Sequence, residues 1–82
     1  MTALELAKEA AKTLNNKKGM DIRILRIENI SSLADYFVFA TGTSNTHVNA
    51  LADETEFHLK EIGVAPHHVE GYRSNSWVLI DY

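Results

Sequence analysis

The most constraining stretch of this chain is Tyr36-Phe37-Val38-Phe39-Ala40, followed at once by Thr41-Gly42-Thr43-Ser44. Five consecutive apolar or aromatic residues lack the alternation of a half-exposed strand. They predict a central strand covered on both faces. The Thr-Gly-Thr-Ser segment breaks it. Beyond the break, Val48, Leu51, Ala52, Thr55, Leu59 and Ile62 recur at i, i+3, i+4 and i+7 spacing. That period predicts a helix over residues 45–62 with this stripe inward and Asp53, Glu54, Glu56 and Lys60 toward solvent. Gly63 ends the helix and Pro66 prevents its resumption.

The remaining segments fit around this unit. Thr2-Ala3-Leu4-Glu5 has the form of a capping box, with Thr2 accepting from an early backbone N–H and Glu5 reaching back. Leu4, Ala7, Ala11 and Leu14 then share one face, which predicts a helix over residues 3–16 closed by Gly19 in a left-handed cap. Residues 21–28 form a strand in which Ile22 and Ile24 alternate and Leu25 and Ile27 continue in the opposite phase. That slip implies a bulge or burial on both faces. Residues 29–34 connect it to the apolar strand. Residues 67–71 and 77–82 supply two more strands around a turn at 72–76. The expected order is α-β-β-α-β-β, an α/β (α+β) fold with helices packed on a mixed sheet.

Composition removes several function classes. The 82 residues, 45% of them apolar, allow one domain with a modest core. The net charge is −3. A domain that neutralises many phosphates carries a basic stripe, and Lys17-Lys18 is the only adjacent basic pair. No direct reading of nucleic acid is expected, and an acidic domain suits a basic protein surface better. The absence of cysteine excludes thiol chemistry and zinc ribbons and favours a reducing compartment. No signal-peptide pattern or membrane-length apolar run is present, so a cytoplasmic protein is expected.

The turn at Thr41 to His47 sits between a strand and a helix N-terminus, where backbone N–H groups favour anions. Simple helix capping by Ser44 or Thr43 explains the same residues. The glycine spacing matches neither a P-loop nor a dinucleotide fingerprint. Two-metal nucleotidyl transfer needs paired carboxylates beside the turn, and none is there. A Ser44–His47 nucleophile pair lacks a carboxylate to orient the imidazole. Of His47, His58, His67 and His68, none stands at metal-ligand spacing, and at least three are expected to be plain surface histidines. No cofactor and no metal are expected. Tyr36 and Phe39 fit ordinary core packing. Trp77, Asp81 and Tyr82 combine large apolar area with a carboxylate, a mixture suited to recognising a basic protein.

Together these residues carry a resemblance. Asp35-Tyr36-Phe37-Val38, the run Ala40-Thr41-Gly42-Thr43-Ser44-Asn45-Thr46-His47-Val48, Ala52-Asp53-Glu54, Gly63 with Pro66, Glu70-Gly71 and Trp77-Val78-Leu79-Ile80-Asp81-Tyr82 resemble the Iojap family of ribosomal silencing factors, across nearly the whole chain. The resemblance implies a nucleotidyltransferase-like fold without transferase activity. It implies binding to the large ribosomal subunit, through its protein numbered fourteen, at the face that meets the small subunit. Occupying that face would block subunit joining and repress translation. Members of the family are also similar to factors of large-subunit assembly, which stands as an alternative, with a nucleotide-binding transferase as the remoter one.

The expected partner-binding residues are Glu70, Trp77, Asp81 and Tyr82, with Thr41, Gly42, Thr43, Ser44 and His47 shaping the neighbouring surface. Family members usually continue past the Asp-Tyr pair with Gly-Asp and a further apolar strand that pairs with 77–82. The sequence stops at Tyr82. The expectation is therefore a truncated single domain over residues 1–82, or an edge strand that makes a homodimer.

Overall fold

The structure, a computed structural model, describes residues 2–28, 34–71 and 77–82. Helix α1 (Ala3–Asn16) is followed by strands β1 (Met20–Glu28) and β2 (Ala34–Thr41), helix α2 (Asn45–Glu61), and strands β3 (His68–Glu70) and β4 (Leu79–Asp81). This is the expected α+β order. The connection expected at 29–34 loses Ala34 to β2, and its remaining residues, like the turn expected at 72–76, lie outside the described residues. The sheet differs from expectation. Among the described residues it is two separate antiparallel hairpins, β1 with β2 and β3 with β4.

Both helices start and stop for local reasons. Thr2 caps α1 by accepting from the Glu5 N–H at 3.1 Å. Glu5 reaches back to the Thr2 hydroxyl at 3.2 Å, so the reciprocal bond is hydroxyl to carboxylate rather than to a backbone amide. At the other end Gly19 N–H donates to Leu14 O and Lys18 N–H to Asn15 O, a Schellman pair. Lys18, at φ 64°, takes the left-handed position expected of Gly19. The cap closes one residue earlier than the glycine suggests, and Lys18 carries backbone strain of about 1–2 kcal/mol there. Helix α2 ends in the same motif, with Val64 N–H to Leu59 O, Gly63 N–H to Lys60 O and Gly63 at φ 92°.

The core is where the two helices meet each other and α1 meets the first hairpin. Ala7 of α1 and Leu51, Ala52 and Leu59 of α2 are its buried apolar residues, with Leu59 fully buried. Thr13 and Thr55 are buried too, and each returns its hydroxyl to the carbonyl four residues back, Glu9 and Leu51. That bond satisfies a hydroxyl that would otherwise be costly inside. Ile62 and Leu4, expected inward, are exposed at the helix ends. His58 of α2 meets Glu9 of α1 at 2.9 Å across the helix pair. The hydrogen bond from His58 is the main reason the Glu9 carboxyl lies below its ordinary range.

The first hairpin corrects two expectations. Its register breaks between Met20 and Arg23, with Asp21 at φ 49°, and then runs regularly through Ile24 opposite Val38 and Leu25 opposite Phe37. The bulge therefore precedes the phase slip. Ile24, Leu25 and Ile27 are all exposed, so the slip does not signal burial on both faces either. Strand β2 alternates: Tyr36, Val38 and Ala40 are half-buried, whereas Phe37 and Phe39 are 49% and 53% exposed. A strand expected to be covered on both faces is covered on one, and Phe39 is a surface residue. The two rings keep each other company at a centroid distance of 6.1 Å.

Candidate functional site

The turn after β2 is built around His47. Ser44 is the N-cap of α2, and its hydroxyl accepts from the His47 N–H at 3.1 Å. The Thr43 N–H donates to His47 Nδ1 at 2.9 Å, and the Thr43 hydroxyl lies 3.2 Å from the same nitrogen. The other ring nitrogen, Nε2, is 2.9 Å from the Lys17 carbonyl at the end of α1. Gly42 is needed for closeness, since a Cβ there would stand 2.9 Å from Val48 Cγ2. The amides that could have cradled an anion are thus engaged inside the turn: Thr43 with His47 Nδ1, His47 with Ser44, and Val48 with the Ser44 carbonyl. Capping explains this segment. The imidazole is turned to Thr43 and Lys17 rather than to the Ser44 hydroxyl, so the two do not form a nucleophile and base.

The second hairpin presents a different chemistry. Its pairs are His68 with Asp81, Val69 with Ile80 and Glu70 with Leu79. Directly opposed residues of an antiparallel pair share a face. His68, Glu70, Leu79 and Asp81 are accordingly the exposed set, and Val69 and Ile80 the sheltered one. His68 Nε2 and Glu70 Oε1 lie 2.6 Å apart, a pairing that two-residue spacing on a strand produces directly. At least three of the four histidines were expected on the surface. His67 and His68 are there, but His47 and His58 are half-buried and bonded.

Trp77 stands 51% exposed just before β4. It is positioned by Gly71, whose φ is 96°. A Cβ on Gly71 would fall 2.7 Å from two atoms of the indole ring and would also meet the Trp77 carbonyl. Only glycine lets the chain take this left-handed conformation and lets the ring close over it. The Glu70-Gly71 pair is therefore one device: a carboxylate on the face, and a gap that seats the neighbouring aromatic.

Glu70, Trp77 and Asp81 are brought together on this hairpin as surface residues. Tyr82 is not part of that face. It is half-buried, in step with Ile80, and its buried hydroxyl has no hydrogen-bond partner among the described residues. Burial, helped by the nearby Glu56 carboxylate, pushes its phenol up to about 12. The exposed Phe37, Phe39, Leu25 and Leu79 were missed as candidate contacts. The apolar run hid Phe37 and Phe39, because a buried strand and a strand with a bare aromatic face read alike. Among the described residues no cluster of ligating side chains suits a metal ion, and no helix is long and apolar enough to cross a membrane.

Comparison with known proteins accounts for the whole chain. The family described as "Ribosomal silencing factor during starvation" matches residues 1–82. The ribosomal silencing factor RsfS of Chromobacterium violaceum is 41% identical over 99% of this chain and 66% of its own length. That of Bacillus subtilis is 36% identical over 99% of this chain and 69% of its own. The chain thus spans about two-thirds of the length of these relatives. A crystal structure of a Chromobacterium violaceum protein superimposes with a TM-score of 0.89 at 41% identity, over 99% of this chain and 68% of that one. With the whole length matched in sequence and backbone, the chain belongs to the RsfS family.

Proposed function

We propose that this chain is a ribosomal silencing factor. It binds the large ribosomal subunit through the protein numbered fourteen, at the face that meets the small subunit, and represses translation by blocking subunit joining. It works as a binding module of a bacterial cytoplasm and catalyses no reaction. Family membership supports the general reading.

One observation supports this choice of contact: Trp77 stands half-exposed over Gly71, at the end of the hairpin whose outer face also shows Glu70 and Asp81. An exposed indole costs hydration unless a partner covers it, and aromatic anchors ringed by charge are what interface hot spots use. The chain's net charge of −3 steers it toward a basic surface. Tyr82 supports this face from behind, and the Thr41 to His47 turn shapes the surface beside it.

Calorimetric titration of the isolated ribosomal protein provides the test. Trp77→Ala should weaken binding by about tenfold or more, as loss of a hot spot does. Asp81→Lys should weaken it most at low salt, because the contact it removes is screened. Unchanged affinity in both variants would sink this placement of the contact. Sedimentation with free large subunits then tests the silencing step: bound chain should keep added small subunits from joining.

A further inference from the structure

Phe57 is the most exposed large apolar side chain among the described residues, at 60%. It lies on the side of α2 away from the buried Leu51, Ala52, Thr55 and Leu59, so the core does not account for it. It borders a depression of about 200 Å³ between the outer sides of α1 and α2. No strand residue lines this depression, and neither does Tyr82, so its form is set by the helix pair alone. Its charges are sorted by wall. The α1 side contributes Lys12 and the C-cap Lys17, and the α2 side contributes Glu54 and Glu61. His58, also in the α2 wall, is engaged by Glu9. Lys17 Nζ and Glu54 Oε1 are 3.8 Å apart and both about half exposed, so each keeps an open outer side. The pairs of Glu9 with His58 and Lys17 with Glu54 show that the helices run antiparallel, since numbers rise along one as they fall along the other.

We propose that this face is a self-association surface whose occupant is a second copy of the chain. Two copies placed face to face can be related by a two-fold axis that runs along the depression or across it. An axis along it lays α1 of each copy over α2 of the other. Lys12 and Lys17 of each then face Glu54 and Glu61 of the other, and the two Phe57 rings come together beside the axis. An axis across it lays α1 on α1 and brings lysine to lysine. The sorted charges therefore select the first arrangement, and the rings add the apolar area that charges lack. Exposed ion pairs contribute little by themselves, so their part here is to set register. An unrelated helix would have to bring a matching pattern of opposite charge, which a second copy has by symmetry. The helices have 14 and 17 residues. At about 1.5 Å per residue and two helices wide, the face offers on the order of 450 Å² per copy, the size of a weak, reversible contact. It shares no residue with Glu70, Trp77 and Asp81, so it stands or falls apart from the ribosomal reading.

The test is sedimentation equilibrium of the chain over a concentration series, at low and at high salt. The expected result is a reversible monomer–dimer equilibrium that weakens at high salt. Phe57→Glu should weaken it at least about tenfold while circular dichroism stays that of the parent. Two double variants go further. Lys12→Glu with Lys17→Glu makes both walls acidic, and Glu54→Lys with Glu61→Lys makes both basic. Each alone should stay monomeric, and an equimolar mixture should recover dimers that Phe57→Ala in both members removes. In the parent, amide chemical shifts that move with concentration should be confined to residues 12–17 and 54–61. Four results would overturn the proposal: a parent that is monomeric at every concentration, a dimer indifferent to Phe57→Glu and to both double variants, a mixture that fails to dimerise, or concentration-dependent shifts along β4. The second and fourth are what a dimer made by strand edges would give.

Discussion

The two hairpins of this fold solve the same problem in different ways. The strands of the first are 9 and 8 residues long, and the hairpin rests on α1. Its inner residues Tyr36, Val38 and Ala40 are half-buried on the side of α1, and its outer face shows bare aromatic rings. The second has strands of 3 residues each and packs chiefly on itself. It carries the mixed face of Glu70, Trp77 and Asp81. A helix-backed hairpin draws stability from the common core. A self-packed hairpin has little to draw on beyond its own few bonds, and short two-stranded units are marginal in water. The region with the more specific surface chemistry is therefore the region with the weaker support, as local stability and binding often divide.

The largest expected effect tests this division directly. Leu59→Ala removes a fully buried side chain and should cost about 2–5 kcal/mol of global stability, measurable by urea unfolding. Leu79→Ala, on the exposed face of β4, should cost under about 1 kcal/mol. In native-state exchange, amides of α2 should open only with the whole chain, and those of β3 and β4 by a local route that Leu59→Ala leaves unchanged. Equal protection of the two regions would break the comparison.

A middle-sized effect sharpens it. Gly71→Ala should cost about 1–3 kcal/mol of local strain and push the indole off its seat. Trp77 fluorescence should shift to the red while the helix signal in circular dichroism stays put. A coincident loss of helix would mean the second hairpin is coupled to the core after all.

The smallest effect is a pH dependence. The Tyr82 phenol is raised to about 12 in the fold, above its ordinary 10.0, because burial disfavours the phenolate. Its neutral form thus adds stability that is complete below pH 10 and is lost as pH rises toward 12. The amount is under about 1 kcal/mol once solvent screening at this half-exposed group is allowed for. Tyr82→Phe should remove that slope in alkaline unfolding. A variant that keeps the full slope would show that burial of the Tyr82 phenol is not its source.

Much of this was legible in the sequence because the signals were local. The cap at Thr2, the apolar period of α2, the stop at Gly63 and the N-cap at Ser44 each depend on residues within a turn or two of one another. What escaped depended on partners far along the chain. Phe39 is exposed because nothing described covers the outer face of β2, a fact that its neighbours in sequence do not encode. Lys18 took the left-handed place beside a glycine because the helix closed one residue early. The candidate face was half legible. Two-residue spacing puts His68 with Glu70, but only the pairing of β3 with β4 puts Asp81 opposite His68 and separates Tyr82 from both.

The bonds of His47 have one more consequence. The Thr43 N–H can only donate, so the nitrogen it meets carries no hydrogen. The proton of the neutral ring must then sit on Nε2, where it is given to the Lys17 carbonyl. The fold therefore selects one tautomer and uses both nitrogens of the ring to join the end of one helix to the start of the other. A histidine held in this way has no lone pair to offer a substrate and no proton to lend. It would have to release the Thr43 N–H, at the start of the second helix, before it could act as a base.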